Sequence, residues 1–167
     1  ISLRTDVPFT DHVHRHFRDR EGLPSNWIYD IVQTRSGYVW IATHNGVARY
    51  DGLRFHVFNR AKTPQLPAND TRVLYESRDG SLWIGTVGGL ARYRPGRPGT
   101  FERYDLFTGN SVHAILEDSH DNLWIGTREA TWSREPSGDF HVAENTPANV
   151  RVICEGADGT LWFGSDT

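Results

Sequence analysis

One short phrase occurs four times along the chain: Gly37-Tyr38-Val39-Trp40-Ile41-Ala42-Thr43, Gly80-Ser81-Leu82-Trp83-Ile84-Gly85-Thr86, Asp121-Asn122-Leu123-Trp124-Ile125-Gly126-Thr127 and Gly159-Thr160-Leu161-Trp162-Phe163-Gly164-Ser165. The tryptophans are 43, 41 and 38 residues apart. A period near 40 residues means one supersecondary unit used several times, each unit too small to bury its own apolar faces. The chain is therefore a row of small modules. Its chemistry is to be sought on the surface that the repeats present together.

Each repeat opens on an asparagine (Asn26, Asn69, Asn110, Asn149) followed by an alternating stretch such as Val112-His113-Ala114-Ile115-Leu116-Glu117. This is strand A. A turn follows at Arg78-Asp79-Gly80, His120-Asp121-Asn122 or Ala157-Asp158-Gly159, where positive φ is easily reached. Strand B carries the tryptophan phrase. Asn45-Gly46 and Gly88-Gly89 mark a second hairpin into strand C, Val47-Ala48-Arg49-Tyr50 and Leu90-Ala91-Arg92-Tyr93. Strand D reads Phe55-His56-Val57-Phe58, Phe101-Glu102-Arg103-Tyr104 and Phe140-His141-Val142. Four antiparallel strands in about 40 residues is the size of a propeller blade. The fold expected is all-β, with about three and a half blades: residues 26–58, 69–104, 110–142 and a half blade at 149–167.

Strand B says why the blades stack. Leu82 and Ile84 face one side and Trp83 and Gly85 the other, so both faces carry apolar or small groups and both are buried. A small residue sits two places after each tryptophan, at Ala42, Gly85, Gly126 and Gly164, leaving room for the neighbouring blade. The tryptophans are expected to pack between blades, each worth about 3–5 kcal/mol.

Composition narrows the function. The net charge is −3 with no basic block, against a nucleic-acid surface. No run of about 18 apolar residues is present. With no methionine at its start or anywhere else, the sequence reads as a piece of a longer one. The single cysteine, Cys154, excludes an internal disulfide and reads as a small core residue within Val152-Ile153-Cys154.

The phrases resemble the two-component regulator propeller repeat. The resemblance rests on Gly22-Leu23-Pro24-Ser25-Asn26, the Asp-x-x-Gly-x-x-Trp-Ile-Gly-Thr-like segments, Gly89-Leu90-Ala91-Arg92-Tyr93 and Tyr50-Asp51-Gly52, and runs from about residue 16 to the end. It implies a seven-bladed, periplasmic sensor region of a hybrid histidine kinase or diguanylate cyclase, with glycan fragments as ligands and any membrane span lying outside these repeats. Repeat three departs from it at Glu129-Ala130-Thr131-Trp132-Ser133, where the turn glycine is lost, and repeat four lacks strands C and D. The alternating His12-Val13-His14-Arg15-His16-Phe17 reads as a lone D strand of the kind that closes a propeller. Two chains could then close a ring as a homodimer.

The candidate ligand-binding residues come from register. Eleven places before each tryptophan, at the start of strand A, stand Tyr29, Arg72, His113 and Arg151. In a propeller these starts and the B–C turns, with His44, Asn45, Arg128 and Glu129, ring one mouth of the central channel. Together they make a polar, partly cationic funnel suited to carboxylate or sulfate groups. His12, His14 and His16 read as a solvated strand edge, and the acids of the A–B turns as turn formers. No catalytic motif, metal site or cofactor is expected. A ligand-sensing module with a small-molecule or oligosaccharide ligand is favoured, with an interaction scaffold or a propeller lyase or hydrolase as alternatives.

Overall fold

The structure is a computed structural model that describes residues 15–96 and 99–166. Fourteen strands form four sheets, each an antiparallel meander. Blade 1 is β1 (Ile28–Gln33), β2 (Val39–Thr43), β3 (Gly46–Tyr50) and β4 (Phe55–Phe58). Blade 2 is β5 (Thr71–Glu76), β6 (Leu82–Thr86), β7 (Gly89–Arg94) and β8 (Thr100–Tyr104). Blade 3 is β9 (Val112–Glu117), β10 (Leu123–Thr127), β11 (Thr131–Arg134) and the short β12 (His141–Val142), and a half blade pairs β13 (Val150–Glu155) with β14 (Leu161–Ser165). The architecture is a partial β-propeller. His12 and His14 of the anticipated closing strand lie outside the described residues. Arg15, His16 and Phe17 are not in a strand, and the Phe17 ring packs 5.2 Å from Tyr50 and from Phe55.

Every residue of β6 is buried, as burial on both faces requires. One core lies between blades 1 and 2, where Trp40 and Ala42 meet Leu74, Leu82, Ile84 and Tyr93. The next joins Trp83 to Val112, Ile115, Leu123 and Ile125, and a third joins Ala114 and Trp124 to Val150, Ile153 and Phe163. Each tryptophan thus faces the blade that follows it. Trp40 and Trp83 are fully buried and Trp124 is half-buried against the half blade, but Trp162 is 63 % exposed. Burial of Trp162 would need a further blade beyond β14. Cys154 is exposed for the same reason, which corrects its reading as a core residue: it pairs with Trp162 in register and lies on that uncovered sheet.

At Gly85 and Gly126 strand A of the next blade passes close to the small residue after the tryptophan. A methyl group on Gly85 would lie 2.7 Å from Val112 Cγ1, and one on Gly126 2.9 Å from Val150 Cγ1. Neighbouring blades are also tied by a repeated polar latch. The acid that ends strand A accepts from a backbone N–H in the A–B turn of the blade before it: Arg35 to Glu76 (3.0 Å), Arg78 to Glu117 (2.8 Å) and Ser119 to Glu155 (2.8 Å).

The A–B turns use one positive-φ position, not two. It is held by Gly37, Gly80 and Gly159 at φ 80–86° and by Asp121 at 65°, the latter tolerated because aspartate reaches the left-handed region at modest cost. The threonine that ends the repeated phrase closes the B–C turn. Thr43 and Thr86 donate to the carbonyls of Gly46 and Gly89 (2.8 and 2.9 Å), and Thr127 to that of Ala130 (2.6 Å) in repeat three, whose turn keeps the same length without the glycine.

Candidate functional site

The four strand-A residues singled out by register prove to be special in backbone terms. The pairing of β1 with β2 runs Ile28↔Thr43 and then Asp30↔Ala42, so Tyr29 is an extra residue. The same break leaves out Arg72 between Thr71↔Thr86 and Val73↔Gly85, His113 between Val112↔Thr127 and Ala114↔Gly126, and Arg151 between Val150↔Ser165 and Val152↔Gly164. Each is the unpaired residue of a β-bulge, a device that re-aims one side chain and ends regular pairing. The bulge frees the residue from the inter-blade core while residues on either side, such as Val112 and Ile115, stay buried.

The bulged residues line up from blade to blade. The Arg72 guanidinium lies 4.2 Å over the Tyr29 ring, a cation–π contact. Arg151 Nη1 approaches His113 Nε2 at 3.0 Å. Burial first, then the charges of Arg151 and Arg72, hold His113 below its ordinary value of 6.5, partly offset by Asp166. The shift favours the neutral imidazole, whose ring nitrogen can accept from the guanidinium.

The B–C turns sit at the same end. The backbone N–H groups of His44, Val87, Arg128 and Asp166 donate to the carbonyls of Trp27, Asp70, Ser111 and Asn149, just before the bulges. Asn45 Oδ1 accepts from Asn69 at 3.4 Å, and Glu129 Oε2 accepts from Asn110 at 3.4 Å. Arg128 is exposed and, among the described residues, in no ion pair.

Acids that the sequence reading did not place at the mouth stand beside its arginines. Asp70 takes Arg72 (2.7 Å) and His44 (3.3 Å), and Asp166 takes Arg151 (2.6 Å). Two arginines of the mouth are therefore paired with carboxylates, while Glu129 is engaged by Asn110. Asp70 Oδ1 and Arg72 Nε remain buried with no hydrogen-bond partner. Trp27, 68 % exposed, lies tilted against His44 with ring centroids 5.6 Å apart. Sequence reasoning missed Asp70, Asp166 and Trp27. For Trp27 and Asp70 the signal was alignment two places before the bulge, with Ser111 and Asn149, and for Asp166 it was alignment with His44, Val87 and Arg128 after strand B. The turn carboxylates are otherwise engaged: Asp79 and Asp158 accept from the N–H groups of Ser81 and Thr160, each at 3.0 Å. No helix among the described residues is long and apolar enough to cross a membrane.

Comparison with known proteins agrees with this architecture. The extracellular domain assigned to the hybrid two component system BT3049 of B. thetaiotaomicron superposes with a TM-score of 0.76 at 23 % identity, over 92 % of this chain and 22 % of that one. That assigned to the hybrid two component system BT4673 of the same organism gives 0.73 at 25 % identity, over 89 % and 22 %. Virginiamycin B lyase from Staphylococcus aureus gives 0.63 at 21 % identity, over 85 % and 50 %, and shares the fold. The chain thus spans about a fifth of the length of the two extracellular domains. No curated protein matches it in sequence. With its repeats matched over residues 22–45, 65–88, 107–129 and 146–167, the chain belongs to the two component regulator propeller family.

Proposed function

We propose that the chain is part of the ligand-sensing, extracytoplasmic region of a bacterial signal-transduction protein, and that the bulge-lined mouth takes an oligosaccharide. The observation that supports this reading is the bulge repeated in all four sheets, with Arg72 against Tyr29 and Arg151 against His113. The relatives assigned to two component systems support the extracytoplasmic setting. Trp27 and Tyr29 offer faces for a sugar ring. The Arg72 and Arg151 forks can exchange an internal carboxylate for one on a uronic acid, or a sulfate. Signalling follows from binding without turnover: a ligand that prefers one arrangement of the domain shifts its equilibrium by its differential affinity.

Calorimetry with oligouronides, sulfated fragments and neutral oligosaccharides tests the reading. Acidic fragments should bind, and more weakly as salt rises. Arg72→Ala combined with Arg151→Ala should cost about 1–3 kcal/mol per lost charged hydrogen bond with the fold intact. Failure of every acidic and neutral oligosaccharide to bind would remove the proposal. Unchanged affinity in the double variant would remove the site.

A further inference from the structure

The repeats allow the same position to be compared in two blades. Arg49 and Arg92 are equivalent, each lying opposite the strand-B tryptophan in register (Trp40↔Arg49, Trp83↔Arg92). The turns ahead of the two tryptophans close alike. Thr34 N–H donates to Tyr38 O and Ser77 N–H to Ser81 O, both at 2.9 Å, and Gly37 and Gly80 donate back to Thr34 and Ser77.

The two guanidinium groups nevertheless have different company. In blade 2, Arg92 lies 4.8 Å over Trp83, pairs with the Asp79 carboxylate, and donates through Nε to Ser81 Oγ at 2.8 Å. In blade 1, Ser36 and Tyr38 replace those two partners. Arg49 lies 4.5 Å over the Tyr38 ring and donates through Nη1 to Tyr93 Oη at 3.2 Å. Its Nε is buried without an acceptor, and no described carboxylate pairs with it. The indole N–H differs in the same way. Trp83 donates to Ser77 Oγ and Trp124 to Asp118 Oδ2, both at 2.8 Å. The Thr34 hydroxyl instead engages Ser36 Oγ and Tyr38 O, and Trp40 Nε1 has no acceptor among the described residues. Where blade 2 holds its carboxylate, blade 1 has a pocket of about 740 Å³ walled by Thr34, Ser36, Tyr38, Trp40, Arg49 and Tyr93. It lies between blades 1 and 2 at the end carrying the A–B turns, opposite the bulge-lined mouth.

We propose that this pocket binds a small aromatic carboxylate. The carboxylate meets Arg49 as Asp79 meets Arg92, replacing an internal ion pair that blade 1 lacks. The ring of the ligand lies against Tyr38, Trp40 and Tyr93, whose faces suit offset or edge-on aromatic packing. A guanidinium fork takes a planar carboxylate in preference to a neutral amide of the same shape, because only the ionised acceptor gives charge-assisted bonds.

The test uses calorimetry together with the NMR signal of the Trp40 indole N–H. The probes are benzoate, 3-phenylpropionate and indole-3-acetate, with benzamide as the neutral isostere. Saturable binding of at least one carboxylate that shifts the Trp40 signal is expected, with benzamide weaker by about ten-fold or more. Arg49→Gln should weaken binding by a similar factor. Ser36→Asp rebuilds the pair found in blade 2, so it should block the ligand while the thermal midpoint holds or rises. The Arg72→Ala/Arg151→Ala variant should bind the probes unchanged, which separates this pocket from the opposite mouth. No saturable binding by any probe, or equal binding in Arg49→Gln and Ser36→Asp, would overturn the assignment.

Discussion

At the residue scale, four copies of one tryptophan allow a graded comparison within a single molecule. Trp83 is wholly buried and packs 5.1 Å from Tyr104 and 6.1 Å from Phe140, whereas Trp162 is mostly exposed. Urea denaturation should show Trp83→Ala losing about 3–5 kcal/mol and Trp162→Ala well under that. Asp118 is a second residue with several roles. Burial pushes its carboxyl up, but bonds from the Trp124 indole, Asn122 and His120 outweigh burial and hold it below the usual range. A depressed carboxyl stabilises the fold above its unfolded value, and that contribution is lost as pH falls through the folded one. Asp118→Ala should destabilise the chain by about 1–3 kcal/mol near neutrality, with a shallower acid limb in a pH series of melts. His113 acts in the same direction. Its folded value is depressed below 6.5, so stability declines as pH falls below 6.5 and the unfolded chain takes up a proton the folded one resists.

At the element scale, the bulge and the latch each have a sequence trace that period-two reading passes over. Strand A was legible as a strand, and Leu74, Ile115 and Ile153 are buried as alternation requires. Before Leu74 and Ile153 the preceding buried residues, Thr71 and Val150, stand three places earlier and not two, and in blade 3 Val112 keeps that spacing with Ala114 also buried. That odd spacing is the signature of an inserted residue. Alignment with the tryptophan picks out the candidate residues, while the bulge that takes them out of the sheet is not read from it. The latch acids Glu76, Glu117 and Glu155 recur seven places before Trp83, Trp124 and Trp162, but their acceptor role depends on a turn in another blade. Removing Glu117 should cost about 1 kcal/mol, because water can reach the exposed Arg78 N–H it leaves. Equilibrium unfolding of Glu117→Ala reads this directly.

At the scale of the whole molecule, the outer faces of blade 1 and of the half blade differ from those between blades. Ile31 is 57 % exposed where its counterparts Leu74 and Ile115 are buried, and Trp162 is exposed at the other end. Inside the molecule a tryptophan face always docks on such an isoleucine or leucine face. The two open faces are therefore complementary, and we propose that two copies of this chain associate through them as a homodimer, hiding apolar surface and shielding the strand edges. Light scattering should show the dimer, and Trp162→Glu should return it to a monomer. A monomeric, well-folded parent chain would remove the expectation.

The sequence by itself determined the blade, its strands, the stacking of blades and the register of the mouth. Those follow from local chemistry repeated at a fixed period: turn glycines, apolar alternation and a tryptophan beside a small residue. Tertiary structure alone decided which way each tryptophan faces, and so why Trp162 and Cys154 are open. It also decided the charge of the mouth, because Asp70 and Asp166 neutralise Arg72 and Arg151 only once strand and turn meet at one end. The contrast between Arg49 and Arg92 belongs to both. The serine and the aspartate are written in the chain, but the pocket between two blades exists only when they pack.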